Sequence, residues 1–239
     1  YRNVIQNIPH LERPVIHDSA NITYSYSLAV EELVGIEVPR RGQFIRAIAS
    51  ELNRQVYTLY WLAIYGIFLG HSTMFMWPTG DREVIIDLLE ALTGARVTHA
   101  YNIPGGVRND MPEGFRDRCL SQIRYLQKRF KEYEDIFYNN PLFRQRTEGV
   151  AVLSKEDAIK LGVTGSVVRA SSVPFDVRKA EPYDIYNEID FKVQYMKTGD
   201  CFARSYVPLL DMQESCYIIE QLLDKMPASG EVRAKLQPN

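Results

Sequence analysis

The chain has 239 residues, 46% hydrophobic and 24% charged, a mixture that can bury a core without disulfide staples and that excludes disordered, collagenous and low-complexity proteins. Lys and Arg number 28 against 30 Asp and Glu, so the net charge of -2 gives no general attraction to nucleic acid or anionic lipid, and such a partner would need a local patch. The three cysteines, Cys119, Cys201 and Cys216, form no close pair, which suits a reducing compartment.

In chain order, the opening segment carries Pro9 and Pro14 and reads as irregular. No Met opens the chain and no basic-then-apolar leader stands at its start, so the sequence is expected to be a piece of a longer subunit. A short helix is expected over Tyr26–Leu33 and a turn at Pro39. A long helix follows from about Arg41, with Phe44, Ile48, Leu52 and Val56 on one face. From Gln55 to Gly80 there is no Asp, Glu, Lys or Arg. That stretch is long enough for a bilayer span, and a membrane helix over Tyr57–Trp77 is one reading. Thr58, His71, Ser72, Thr73 and Pro78, with the charged helical pattern upstream, favour a helix covered by protein neighbours on every side.

A third helix is expected over Asp81–Leu92, with Asp81 suiting the helix dipole and Gly94 as the stop. After the turn Pro104-Gly105-Gly106, a fourth helix is expected from about Pro112 to Tyr138. Its Leu120, Ile123, Leu126, Phe130, Tyr133 and Phe137 are spaced at threes and fours. Between Thr147 and Val193 the pattern is mixed. Gly149–Leu153 and Phe191–Val193 read as short strands, and Ser154 caps a small helix with Asp157 three residues on. A closing helix runs from about Asp200 to Met226, and the last dozen residues read as a frayed or truncated tail. The sum is a mostly α chain with a small α+β part, a helix bundle forming one domain over residues 1–239. Its helical core covers about 24–140, its mixed segment about 141–198 and its closing helix about 200–226.

Chemical motifs are sparse. No G-x-G-x-x-G follows a strand and no Walker lysine follows a glycine loop, so direct NAD or ATP binding has no support. There is no C-x-x-C, and His10, His17, His71 and His99 form no H-x-x-x-H, so no metal or iron–sulfur ligand set is expected within the chain. No G-x-S-x-G elbow supports a serine nucleophile. His17-Asp18, just before a helix, is either a titratable pair lining a cleft or a local cap made by Asp18. His99 reads equally as structural or functional. Arg169, Asp176, Arg178 and Lys179 around Pro174 are either a functional loop cluster or a charged rim.

The run Tyr26-Ser27-Leu28-Ala29-Val30-Glu31-Glu32-Leu33 is followed by Pro39-Arg40, Gln43 to Arg46, Gly94-Ala95-Arg96 and Pro104-Gly105-Gly106-Val107 with Pro112. Farther on come Arg144, Arg146-Thr147, Gly162, Gly165, Arg169, Asp176-Val177-Arg178-Lys179, Pro182-Tyr183 and Gly199-Asp200-Cys201. In this order the motifs resemble the D subunit of proton-pumping NADH:quinone oxidoreductase, respiratory complex I, over essentially the whole chain. That family descends from the large subunit of nickel–iron hydrogenases, which implies a helix-bundle core of that type.

The resemblance implies a peripheral subunit at the cytoplasmic face of the membrane. It would form a quinone pocket with the neighbouring subunit that holds the terminal iron–sulfur cluster, bind no cluster itself, and touch membrane-arm subunits. The family's histidine-bearing hairpin loop lies upstream of Tyr1. Its pocket tyrosine falls at Ile16, the carboxylate that pairs with the loop histidine falls at Phe68, and its cluster-linked histidine falls at Thr98, beside His99. His17 and Asp18 are then expected to stand near the headgroup as proton donor and orienting partner, with Arg169, Asp176 and Arg178 at the subunit interface. The substitutions are easier to reconcile with an archaeal-type enzyme that takes another quinone or a phenazine, and with reduced deazaflavin (coenzyme F420) or ferredoxin in place of NADH. A scaffold protein of the same fold that has lost quinone chemistry is the rival reading.

Overall fold

The computed structural model describes residues 2–235. It is mostly α with one two-stranded sheet, the expected class. The opening segment is more regular than its prolines suggest. Asn3 and Gln6 form a reciprocal capping box that starts helix α1 (Val4–Glu12), with Pro9 inside it, and a 3-10 turn (Arg13–Asp18) leads into α2 (Ser19–Val34). Helix α2 begins well before Tyr26 and ends at Gly35, which takes the left-handed conformation (φ 71°) and closes the helix onto the Glu31 carbonyl.

The central element is α3 (Arg40–Phe68), packed against α2, α4 (Ser72–Thr93) and α10 (Cys201–Lys225). Phe44, Ile45, Ile48, Leu52, Leu59 and Leu62 are buried in the main core, each worth about 1.5–3 kcal/mol relative to exposure. The uncharged stretch is therefore not one span. It breaks at Gly70-His71, and His71 Nδ1 accepts the Met74 amide at 3.2 Å to restart the chain as α4. Among the described residues no helix is long and apolar enough to cross a membrane. The two helices approach so closely that a Cβ on Gly66 would lie 2.7 Å from Met74 Cβ.

Helix α4 thus starts nine residues before the expected Asp81. Asp81 is not a terminal cap but a buried acceptor for Tyr125, Arg129 and Tyr133 on α5 (Phe115–Tyr133). Tyr133 of the apolar stripe is buried, while Arg129 is partly buried and Tyr125 reaches Asp81 from the exposed side of α5. Helix α5 begins after Gly114 and passes into one π turn (Glu134–Tyr138). Short helices follow: α6 (Pro141–Thr147), α7 (Lys155–Lys160), α8 (Gly165–Ala170) and α9 (Val177–Ala180). Ser154 caps α7 through Asp157, as its spacing predicts.

The β part lies elsewhere than expected. Strands β1 (Asn102–Ile103) and β2 (Gly106–Val107) flank the Pro104-Gly105 turn, whereas Gly149–Leu153 and Phe191–Val193 are not strands. Backbone pairing there is sparse. The amides of Asp190 and Lys192 are satisfied by Gln221 and Glu214 side chains of α10, Leu153 makes a single bond to the Gly199 carbonyl, and the Cys201 amide donates to the Val150 carbonyl.

The tail is not frayed over residues 232–234. Val107 donates to the Val232 carbonyl at 3.1 Å and Ala234 to the Gly105 carbonyl at 2.8 Å; residues 236–239 lie outside the described residues. Gly106 permits this pairing. It sits at φ 143°, and a Cβ there would lie 2.2 Å from the Val232 oxygen. Gly106→Ala is expected to destabilise the protein by about 1–3 kcal/mol. It should also raise amide exchange of the 232–234 segment, read by thermal unfolding and hydrogen–deuterium exchange.

Candidate functional site

An enclosed polar cluster is built around Glu51 on α3, which is fully buried. Its Oε1 accepts from Arg178 Nη1 at 2.8 Å and from the Tyr186 hydroxyl at 2.7 Å. Its Oε2 accepts from Ser215 at 2.7 Å and from Arg54 Nε at 3.2 Å. Arg178 also grips Asp176, whose carboxylate caps α9. Burial alone would push both carboxyls up. The Arg54 and Arg178 guanidiniums hold Glu51 at about 2, and Arg178 holds Asp176 at about 2. Asp176 and Arg178 therefore point into the protein as a structural network, and the solvent-exposed rim is not where they lie.

Above this network lies a cleft of about 230 Å³. Its walls are Asp18 and Asn21 at the start of α2, Arg54, Tyr57 and Trp61 on α3, Ser166 and Arg169 on α8, and Pro208 and Asp211 on α10. A second basin of about 470 Å³, lined by Tyr24, Leu28, Val177 and Tyr183, shares Asp18, Asn21 and Arg54 with the first. Arg54 spends its Nε on Glu51, and its terminal nitrogens have no hydrogen-bond partner among the described residues, so they are open to a ligand. Asp18 Oδ1 accepts from Asn21 and, at 2.8 Å, from Asn53, while Asp211 accepts from Arg169. Burial pushes both carboxyls up against the pull of these partners. The cleft thus holds two carboxyls whose proton affinity burial raises, two guanidiniums and an aromatic wall. Such a set can orient a small polar, planar molecule and exchange protons with it.

The expected site residues separate in space. Asp18 enters the cleft. It stands at the N-cap of α2 without a side-chain bond to the helix amides, so the capping alternative does not hold: Asn21 and Asn53 take its carboxylate. The His17 ring turns the other way, stacked on Tyr60 with centroids 3.9 Å apart and with Nδ1 3.3 Å from Arg82 Nη2. It makes no hydrogen bond to Asp18 among the described residues. Burial and the Arg82 charge both lower its pKa. Ile16 is half-exposed beside it.

Phe68 is 80% exposed, seven residues past Trp61 and so about 10 Å farther along α3, outside the cleft. Thr98 is exposed, while His99 is buried with Nδ1 3.1 Å from both Thr93 Oγ1 and the Ala95 carbonyl. Burial lowers the His99 ring to about 4, which favours its neutral form. Arg169 lies on the cleft wall. Among the described residues no group of three His, Cys, Asp or Glu side chains is placed to hold a metal ion.

Glu51, Arg54, Tyr186 and Asp211 do not stand out as site residues in the sequence. A signal exists for three of them. Glu51 and Arg54, three apart and so on one helix face, interrupt a helix of buried apolar residues, and Asp211 interrupts the apolar run from Val207 to Met212.

Comparison with known proteins agrees with this architecture. The family profile described as respiratory-chain NADH dehydrogenase, 49 Kd subunit, matches residues 69–238. The chain belongs to this family. Among its 49 Kd relatives, the D subunit of F(420)H(2) dehydrogenase from Methanosarcina mazei is 45% identical over 95% of this chain and 60% of that protein. The D subunit of NADH-quinone oxidoreductase from Desulforamulus reducens is 39% identical over 98% of this chain and 64% of its own length. A chain of the membrane-bound sulfane sulfur reductase, an archaeal respiratory membrane complex, superposes with a TM-score of 0.95 at 38% identity. That match covers 98% of this chain and 63% of that one. The chain thus spans about three fifths of the length of the 49 Kd relatives it matches.

Proposed function

We propose that this chain is the peripheral-arm subunit of a complex I-like oxidoreductase, forming one wall of a quinone-reduction pocket whose other wall belongs to the subunit carrying the terminal iron–sulfur cluster. The observation that carries the reading is the polar, aromatic-walled cleft over the buried Glu51 network, in a chain of the 49 Kd family. The redox chemistry belongs to the quinone and the neighbour's cluster. This chain's residues orient the headgroup and hold protons beside it. Asp18 is the acid inside the cleft and His17, next to it in the chain and stacked on Tyr60, the titratable group outside it. The membrane arm, proton translocation and attachment at the cytoplasmic face complete the proposal, and the chain alone is expected to be inactive. The exposed Ile67 and Phe68 at the end of α3 suit coverage by a neighbouring protein of the complex.

The higher identity to a protein of F(420)H(2) dehydrogenase favours a deazaflavin donor, with a quinone or phenazine acceptor, as the second reading. Replacing His17 by Ala in the intact complex is expected to lower quinone reductase turnover by about tenfold or more and to change its pH dependence. Unchanged turnover and affinity would remove His17 from the reaction.

A further inference from the structure

The two acids of the cleft come from different elements. Asp18 belongs to the entry of α2, and Asp211 projects from α10 beyond Pro208, with Arg54 of α3 also lining the cleft. We infer that Asp211, positioned by Arg169, is a second proton donor to the acceptor bound in this cleft, complementary to Asp18; the inference rests on the quinone-pocket reading.

Asp211 interrupts a stretch of helix that is largely core. Val207, Pro208, Leu209 and Met212 are all buried, and a carboxyl in their midst has a desolvation cost that an apolar residue would not. Its ion pair is a poor structural device, because the Nε of Arg169, its partner, is buried without a hydrogen bond. The charged groups around Asp211 come from every neighbouring element: Arg169 on α8, Arg54 on α3, Arg178 on α9 and the Asp18 carboxyl of the same cleft, with Glu51 beneath. Three guanidiniums allow Asp211 to exist as a carboxylate after giving up its proton. Burial favours its return to the protonated state.

The chemistry demands two such groups. Reducing a quinone to its quinol takes two electrons, supplied by the neighbouring subunit's iron–sulfur cluster, and two protons. The two oxygens lie at opposite ends of the ring, so one acid on one wall does not reach both. Each carboxyl O–H bond breaks as a new O–H bond forms on the facing oxygen, and both carboxylates are reprotonated from water entering the cleft. A phenazine, with nitrogens on opposite edges of its central ring, has the same requirement.

The test uses the intact complex with Asp211→Asn. Expected are a loss of turnover of about tenfold or more, disappearance of the alkaline limb of the rate–pH profile assigned to this acid, and loss of one protonated-carboxyl band in infrared difference spectra, while a photoreactive quinone still labels this chain. Retained labelling with an unchanged rate, profile and band overturns the inference alone. Absence of labelling in the unmodified complex overturns the quinone reading itself. Where the Asn variant does not assemble, Asp211→Glu decides: a displaced carboxyl band supports the assignment, and bands identical to the unmodified complex overturn it.

Discussion

Glu51→Ala is expected to destabilise the protein by about 3–5 kcal/mol, the range for removing one partner from a buried ion pair. The change leaves Arg178 without its Glu51 contact and removes the acceptor of Tyr186 and Ser215 in the same step. It also frees Arg54 to swing out of the cleft wall, so assembly and acceptor binding should weaken together. Chemical denaturation with the slope held fixed reads the first effect.

The same carboxylate sets an acid limit. Its folded pKa, about 2, lies below the ordinary value of 4.5, so its contribution is fully present above about 4.5 and is lost as pH falls from there toward 2. The unmodified protein should therefore lose more stability across that window than the Glu51→Ala variant. Equal losses in both would show that the network does not hold the charge.

Arg46→Ala has an effect of similar size, about 3–5 kcal/mol. Arg46 is fully buried. Its Nη1 and Nη2 donate to the two Glu31 oxygens at 2.8 Å, while Nε and Nη2 donate to Asp184 at 2.6 and 3.0 Å. Its guanidinium also stacks over Tyr24, with Cζ 5.0 Å from the ring centroid. Removing it leaves two acids buried without their cation. It also loosens the β1–β2 turn, because Glu31 accepts the Gly105 amide at 2.7 Å. Lysine should restore little, since a single ammonium does not replace a fork that bonds two carboxylates at once. Thermal unfolding of Arg46→Ala and Arg46→Lys side by side checks this; full rescue by lysine would mean that charge alone matters there.

The helical core was legible because its apolar residues recur at helical spacing: Phe44, Ile48, Leu52 and Val56 mark the buried face of α3, and Ile123, Leu126 and Phe130 that of α5. Boundaries were less so, for a physical reason at each place. Pro78 sits inside α4 because His71 supplies the start signal farther upstream, and Pro9 sits inside α1 because Asn3 and Gln6 cap it. The β attachment was misplaced because short apolar runs do not disclose their partners. Phe191 is buried beside Arg178 and Lys179, while the amides of its neighbours Asp190 and Lys192 bond side chains of α10.

At the site, the sequence singles out Asp18, which lines the cleft, together with the adjacent His17, which turns to Tyr60 and Arg82 instead. The far wall comes from α8 and α10, about 150 and 190 residues later in the chain. That convergence is a property of packing, and nothing in local spacing announces it.

Photoaffinity labelling of the intact complex, with a quinone carrying the reactive group on its ring, tests most directly whether this chain supplies one wall of an acceptor pocket completed by a cluster-bearing neighbour. Crosslinks are predicted on peptides spanning Asp18–Trp61 or Ser166–Asp211 together with crosslinks on the neighbouring protein, all competed away by excess unlabelled quinone. Saturating probe that marks the neighbour and leaves this chain unmarked would contradict that pocket.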